Sequence, residues 1–195
     1  MKNSNYLLFA FLFLSFVSNA QDNAFGAKLG YVITNAYYPD GNLVLYTDGS
    51  GGQGNNSFSY KSGFQLGLFK EIPLKSTPGY IYIAGQYVNY GFNDNNLTVD
   101  LNYIELDING VQKFGKSDEF LVGFGLSPAY LISNSNEIEI DSKFDIRANT
   151  IIGFKLSNTM KLFFQGKIGF LKLNSESELK SYLLSLNTEI SIFNN

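Results

Sequence analysis

The segment 144-FDIRANTIIGFKL-156 decides how this chain folds. In an extended strand Phe144, Ile146, Ala148, Thr150, Ile152, Phe154 and Leu156 lie on one face, and Asp145, Arg147, Asn149, Gly153 and Lys155 lie on the other. Successive side chains of a strand point to opposite faces, so a period of two separates an oily face from a charged one. The run is well beyond the ~5–6 residues of an ordinary soluble strand.

The same alternation recurs along the chain. It sets Phe25, Ala27, Leu29, Tyr31 and Ile33 against Gly26, Lys28 and Gly30, and Phe58, Tyr60, Phe64, Leu66 and Leu68 against Lys61, Gly63, Gln65 and Gly67. Further on, Phe120, Val122, Phe124, Leu126, Tyr130 and Ile132 oppose Gly123, Gly125, Ser127 and Ala129, and Met160, Leu162, Phe164, Ile168 and Phe170 oppose Lys161, Gln165, Lys167 and Gly169. The last segment sets Tyr182, Leu184, Leu186, Ile190 and Ile192 against Ser185, Asn187, Glu189 and Ser191. Two more strands are predicted over 79–91, where Gln86 is turned inward, and over 98–114, where Glu105, Asp107, Asn109 and Lys113 share a face. Near Tyr103 the phase of the latter strand switches, and a β-bulge there is the expected cause. The total is eight strands.

Connections alternate in length as well. Those at Pro73 to Pro78, Gly115 to Asp118 and Ser157 to Thr159 are short, and those at 35–57, 93–97, 134–141 and 174–180 are longer or more polar. Short turns at one end and longer loops at the other are the habit of an outer-membrane barrel. The expected fold is therefore all-β, an eight-stranded antiparallel up-and-down transmembrane β-barrel. A soluble lipocalin-like barrel carrying a small apolar ligand is the competing architecture, with its oily face inward. Glycine placement favours the first: Gly26, Gly30, Gly63, Gly67, Gly123, Gly125, Gly153 and Gly169 crowd the charged face, and the interior of an eight-stranded barrel is tight. An oily exterior calls for lipid as its solvent.

The segments 101-LNYIELDINGVQKFG-115, 120-FLVGFGLSPAYLIS-133 and 150-TIIGFKLSNTMKLFFQGKIGFLKL-173 resemble the PorT-like outer-membrane β-barrel family of Bacteroidota. Asp107 stands where that family usually has proline, and Asn194 and Asn195 follow Phe193. The resemblance implies a Gram-negative outer-membrane barrel whose role its loose motifs do not specify.

The first residues read as an address. Lys2, an apolar run from Tyr6 to Val17 broken only by Ser15, and the small residue Ala20 make a secretory signal peptide over 1–20, leaving 21–195 as one barrel domain. No later run of eighteen apolar residues exists to form a transmembrane helix. The 195 residues contain no histidine, cysteine or tryptophan, which excludes disulfides, Ser-His-Asp and Cys-His nucleophile systems, and zinc or haem ligation by His or Cys. A formal charge of −3 offers no basic field to nucleic acid. No cofactor and no metal is expected.

The charged face gathers Lys28, Lys61, Glu71, Glu105, Asp107, Lys113, Asp145, Arg147, Lys155, Lys167 and Glu189, expected to form an ion-pair network that fills the lumen. The enzymatic alternative casts Glu105 and Asp107 as a general acid and base. Tyr37, Tyr38, Leu43, Leu45 and Tyr46, in and beside the glycine-rich loop 35–57, are the candidate contact surface for a protein partner. The oxygens of Asp48 to Asn56 do not follow a calcium-loop spacing, and 136–141 is an acidic loop. Tyr60, Tyr80, Tyr90, Tyr130 and Tyr182 are expected at interfacial girdles, with core packing as the competing role. The expected protein is a non-catalytic monomer, not an open porin, that sits in outer-membrane lipid and presents its loops.

Overall fold

The computed structural model of the chain describes residues 24–37, 59–94, 97–115, 118–135, 142–171 and 180–193. The predicted signal peptide, Tyr38, Leu43, Leu45, Tyr46 and the acidic loop lie outside them.

The alternating segments form eight strands: β1 Phe25–Tyr37, β2 Lys61–Pro73, β3 Gly79–Asp94, β4 Leu97–Phe114, β5 Phe120–Asn134, β6 Phe144–Lys155, β7 Met160–Gly169 and β8 Lys180–Phe193. Each pairs antiparallel with its sequence neighbour, and β1 pairs with β8 from Phe25↔Phe193 to Tyr37↔Lys180, so the sheet closes with no free edge. Across that seam the rings of Phe25 and Phe193 stack at 6.5 Å. The β4–β5 turn needs left-handed backbone at Gly115 (φ 92°) and Asp118 (φ 55°), residue types that tolerate it.

Facing follows the alternation. Leu29, Phe64, Leu66, Ile104, Leu106, Phe124, Leu126, Ile152, Phe164, Leu184 and Ile190 are exposed on the outside, while Lys28, Gln65, Glu105, Asp107, Arg147, Gln165, Lys167 and Asn187 are buried inside. The inward glycines are needed for that packing: a Cβ on Gly153 would enter the Phe163 ring, and one on Gly169 would lie 2.7 Å from Ser181 Oγ and 2.8 Å from Asp145 Oδ2. At Gly85 and Gly110, which face out, a Cβ would meet nothing within 4 Å.

The interior is layered along the barrel axis. At the short-turn end Phe69, Tyr80, Tyr82, Ala84, Val111, Leu121, Ile151 and Phe163 pack together. At the loop end Val32, Val88, Tyr90, Phe92, Val99, Leu101, Tyr103 and Leu131 form a second apolar cluster. Polar and charged side chains fill the level between.

Two expectations are corrected here. Tyr80 and Tyr90 are not girdle residues, because even-numbered side chains of β3 point inward and both rings are about 98–99% buried in the two apolar layers. Tyr60 and Tyr182 do meet at the loop end, edge to face at 6.2 Å, and Tyr130 is exposed on β5. Phenylalanines make the turn-end girdle, with Phe120 6.3 Å from Phe114 and 5.3 Å from Phe154. Nor does β4 switch phase at Tyr103. Val99, Leu101, Tyr103, Glu105, Asp107 and Asn109 are all buried, so its odd positions face inward throughout. A register shift does occur at Asn102/Tyr103, but the extra residue belongs to β5, where Tyr103 pairs with Leu131 and Asn102 with Ser133, skipping Ile132. What changes along β4 is the chemistry of the lumen, from ionic to apolar.

Candidate functional site

The middle level is organised by β4. Glu105 and Asp107, two residues apart, both point across the lumen and are 1% and 0% exposed. Lys167 of β7 bridges them, its Nζ donating to Glu105 Oε2 at 2.5 Å and to Asp107 Oδ1 at 2.7 Å. From β6 Arg147 donates through Nη1 to Glu105 and through Nε to Asp145 Oδ2 at 3.0 Å. Lys28 of β1 donates to Asp107 Oδ2 at 3.3 Å and to Gln165 Oε1 at 3.0 Å. Neutral donors complete the shell: Gln86 reaches both carboxylates, and Ser127 and Gln165 donate to Asp107 at 2.7 and 2.9 Å.

Buried ions must be paired and hydrogen-bonded, because desolvation costs each several kcal/mol. Every carboxylate oxygen of Glu105 and Asp107 accepts at least one bond, and the cations arrive from three other strands. The Arg147 guanidinium is also held between aromatic faces, 4.4 Å from the Tyr103 centroid and 5.1 Å from that of Tyr90. The hub therefore ties β4 to β1, β6 and β7 through the lumen, in addition to the ladders that tie neighbours.

The structure brings Lys28, Glu105, Asp107, Asp145, Arg147 and Lys167 into this one network. Glu189 sits just below, accepting from Tyr82 Oη, with Lys28 Nζ 5.8 Å from the centre of the same ring. Lys61, Lys113 and Lys155 are not part of it. Lys61 lies at the loop end, where its stem passes Gly91 and its ammonium pairs with Asp100, whose side chain is 48% exposed. Lys113 stands over the Tyr80 ring at 5.8 Å, and Lys155 lies beside Glu119 at the turn end. Alternation gives only the side a residue faces, and these three differ from the hub in height. Lys161, absent from the expected set, pairs with Glu71 at the turn end and lies 5.1 Å from the Tyr80 centroid. Its sequence signal was available: it occupies the charged face of β7 with Gln165 and Lys167.

Chemically the hub is an array of mutually neutralised charges. Glu105 and Asp107 have their lone pairs engaged and lie between two apolar layers, so neither is presented as an acid or base to a solvent-borne substrate. Among the described residues no group of acidic side chains is arranged to hold a metal ion.

Fold and interior together define an eight-stranded closed antiparallel barrel of the kind found in bacterial outer membranes, with a filled lumen. Among solved structures it is similar to Neisserial surface protein A (NspA), with a TM-score of 0.53 and 13% identity over 88% of this chain and 100% of that one. It is also similar to Ail, the attachment invasion locus protein of Yersinia pestis, in complex with the heparin analogue sucrose octasulfate (TM-score 0.48, 14% identity, 87% of this chain and 99% of that one). A second structure of Ail gives 0.47 and 12% over the same shares. At 13% identity the likeness to NspA is one of fold. No family model matches the chain, and no curated protein matches it in sequence.

Proposed function

We propose that this chain is an integral outer-membrane protein of the PorT-like kind found in Bacteroidota. It is exported by a signal peptide cleaved after Ala20, spans the membrane as a monomer with its short turns in the periplasm, and acts as a non-catalytic platform whose outer loops meet a protein partner. The observation that carries this reading is the outer face. A large aliphatic or aromatic side chain offers on the order of 150–200 Å². Leu29 (64% exposed), Phe124 (66%) and their neighbours thus exceed within a few residues the ~300–600 Å² of the largest patch on a typical soluble monomer. The belt runs through all eight strands, and a closed barrel is the form in which strands leave no backbone group unpaired in hydrocarbon.

The filled interior supports a platform over a pore, because the ionic level lies between two packed apolar layers. That leaves the loop end as the surface through which the protein meets a partner. Fractionation with paired boiled and unboiled gel samples tests the reading. The expected protein needs detergent, migrates faster unboiled, and begins at Gln21. Deleting 40–56 is expected to leave that mobility shift intact while abolishing capture of the partner. Recovery from periplasm or medium without detergent refutes the membrane reading and favours a soluble carrier.

A further inference from the structure

We propose that the outer surface of β3, β4 and β5 at the loop end is a binding site for a glycolipid headgroup, taking sugar hydroxyls on Tyr87, Asn89, Asn102 and Ser133. This rests on the membrane reading above and adds a ligand to it.

Strand length places the site. A spanning strand needs ~9–11 residues, and β7 has 10, but β3 has 16 and β4 has 18. Rising ~3.3 Å per residue at a tilt of ~40°, β4 puts Asn102 roughly 30 Å above the Phe114 girdle, just past an apolar band ~25 Å tall. Above that level the barrel is built like a soluble protein. Val88, Tyr90, Phe92, Val99, Leu101 and Tyr103 are buried inside, and Asn89, Thr98, Asp100, Asn102 and Ser133 lie on the outside. This polar outer face belongs to β3–β5. At the loop ends of β6 and β7 the exposed large apolar residues are Phe144, Phe170 and Leu171.

The strip is pre-organised. Asn102 Oδ1 accepts from Tyr87 Oη at 2.6 Å and from Asn89 Nδ2 at 2.8 Å, and Asn102 Nδ2 donates to Ser133 Oγ at 2.8 Å. Those bonds fix the rotamers and still leave the second amide hydrogens of Asn89 and Asn102, the Ser133 hydroxyl hydrogen and a Tyr87 lone pair for a ligand. Groups that both donate and accept suit hydroxyls, whereas a bare phosphate wants cations. The Lys61 ammonium is engaged by Asp100, and the four side chains of the strip carry no charge, so the strip suits a neutral sugar better than a bare phosphate. Below it, Gly85 leaves β3 bare between Ile83 and Tyr87, a notch for an acyl chain. Sugar and chain are recognised in the order in which an outer-leaflet glycolipid presents them.

The full mature chain, folded in detergent, is mixed in turn with rough-type lipopolysaccharide, digalactosyl diacylglycerol and phosphatidylglycerol, and retained lipid is counted by native mass spectrometry. Wild type is expected to retain lipopolysaccharide about tenfold better than phosphatidylglycerol. Asn89→Ala with Asn102→Ala lowers retention of both sugar lipids about tenfold and leaves phosphatidylglycerol unchanged. Gly85→Leu, which fills the notch without touching the interior, weakens lipopolysaccharide while heat-modifiable mobility is kept. A folded barrel that holds phosphatidylglycerol as well as lipopolysaccharide, or a folded double variant that holds lipopolysaccharide at the wild-type level, overturns the proposal and leaves the membrane reading standing. A chain soluble without detergent overturns both.

Discussion

Replacing Lys167 by methionine removes one ammonium from the centre of the barrel with little change in volume. Its Nζ donates to Glu105 at 2.5 Å and Asp107 at 2.7 Å, and all three side chains are fully buried. Lys28 and Arg147 are then left to face Glu105, Asp107, Asp145 and Glu189. Removing one partner of a buried pair costs about 3–5 kcal/mol because the other charge is stranded. Here Glu105 keeps Arg147 and Gln86, and Asp107 keeps Lys28, Ser127, Gln86 and Gln165, which sets the expected loss at the lower end, about 3 kcal/mol. With an m value of ~2–3 kcal/mol/M, the urea midpoint of the micelle-folded protein drops by about 1–1.5 M. Adding Glu105→Gln neutralises a stranded carboxylate and recovers part of that loss. The comparison variant is Lys61→Met, whose partner Asp100 is half exposed and whose loss costs about 0–1 kcal/mol. A Lys167→Met midpoint equal to that of Lys61→Met would refute the assignment of the hub as the element that holds the barrel together from within.

Two further outcomes follow from the packing. Gly153→Val drives its side chain into the Phe163 ring and is expected to cost about 1–3 kcal/mol, whereas Gly85→Val, facing open space, stays within about 0.5 kcal/mol of wild type; unfolding midpoints followed by gel mobility separate the two. In planar bilayers both wild type and Lys167→Met are expected to show no steady conductance, because the layers around Tyr82 and Phe163 below and Tyr90 and Leu101 above remain in place; a stable ohmic current from wild type contradicts the filled lumen.

Most of the barrel was legible because a period of two is a local property. Residues 144–156 specify their own facing, and Asp145, Arg147 and Asn149 are buried where the alternation puts them. Legibility failed where both faces of a strand are apolar. In 79–91 tyrosine or isoleucine stands on each side, and the roles of Tyr80 and Tyr90 are settled only by the neighbours that enclose them. In 98–103 the inward residues turn from charged to apolar, which in sequence looks like a change of phase. The hub was visible as a set of charges but not as a pairing, since Lys28 and Asp107, or Arg147 and Glu105, come from strands that are not neighbours in the sheet.

Sequence alone thus determined the strand count, the closed meander and the sign of each face on the strands whose two faces differ in polarity, because each depends on alternation and connection length within a short stretch of chain. Tertiary structure decided which charges meet, which tyrosines are lumen packing, and at what height the wall of β3–β5 becomes polar outside and apolar inside. Those properties depend on strand register and tilt summed around the closed sheet, which bring residues far apart in sequence to one level of the lumen.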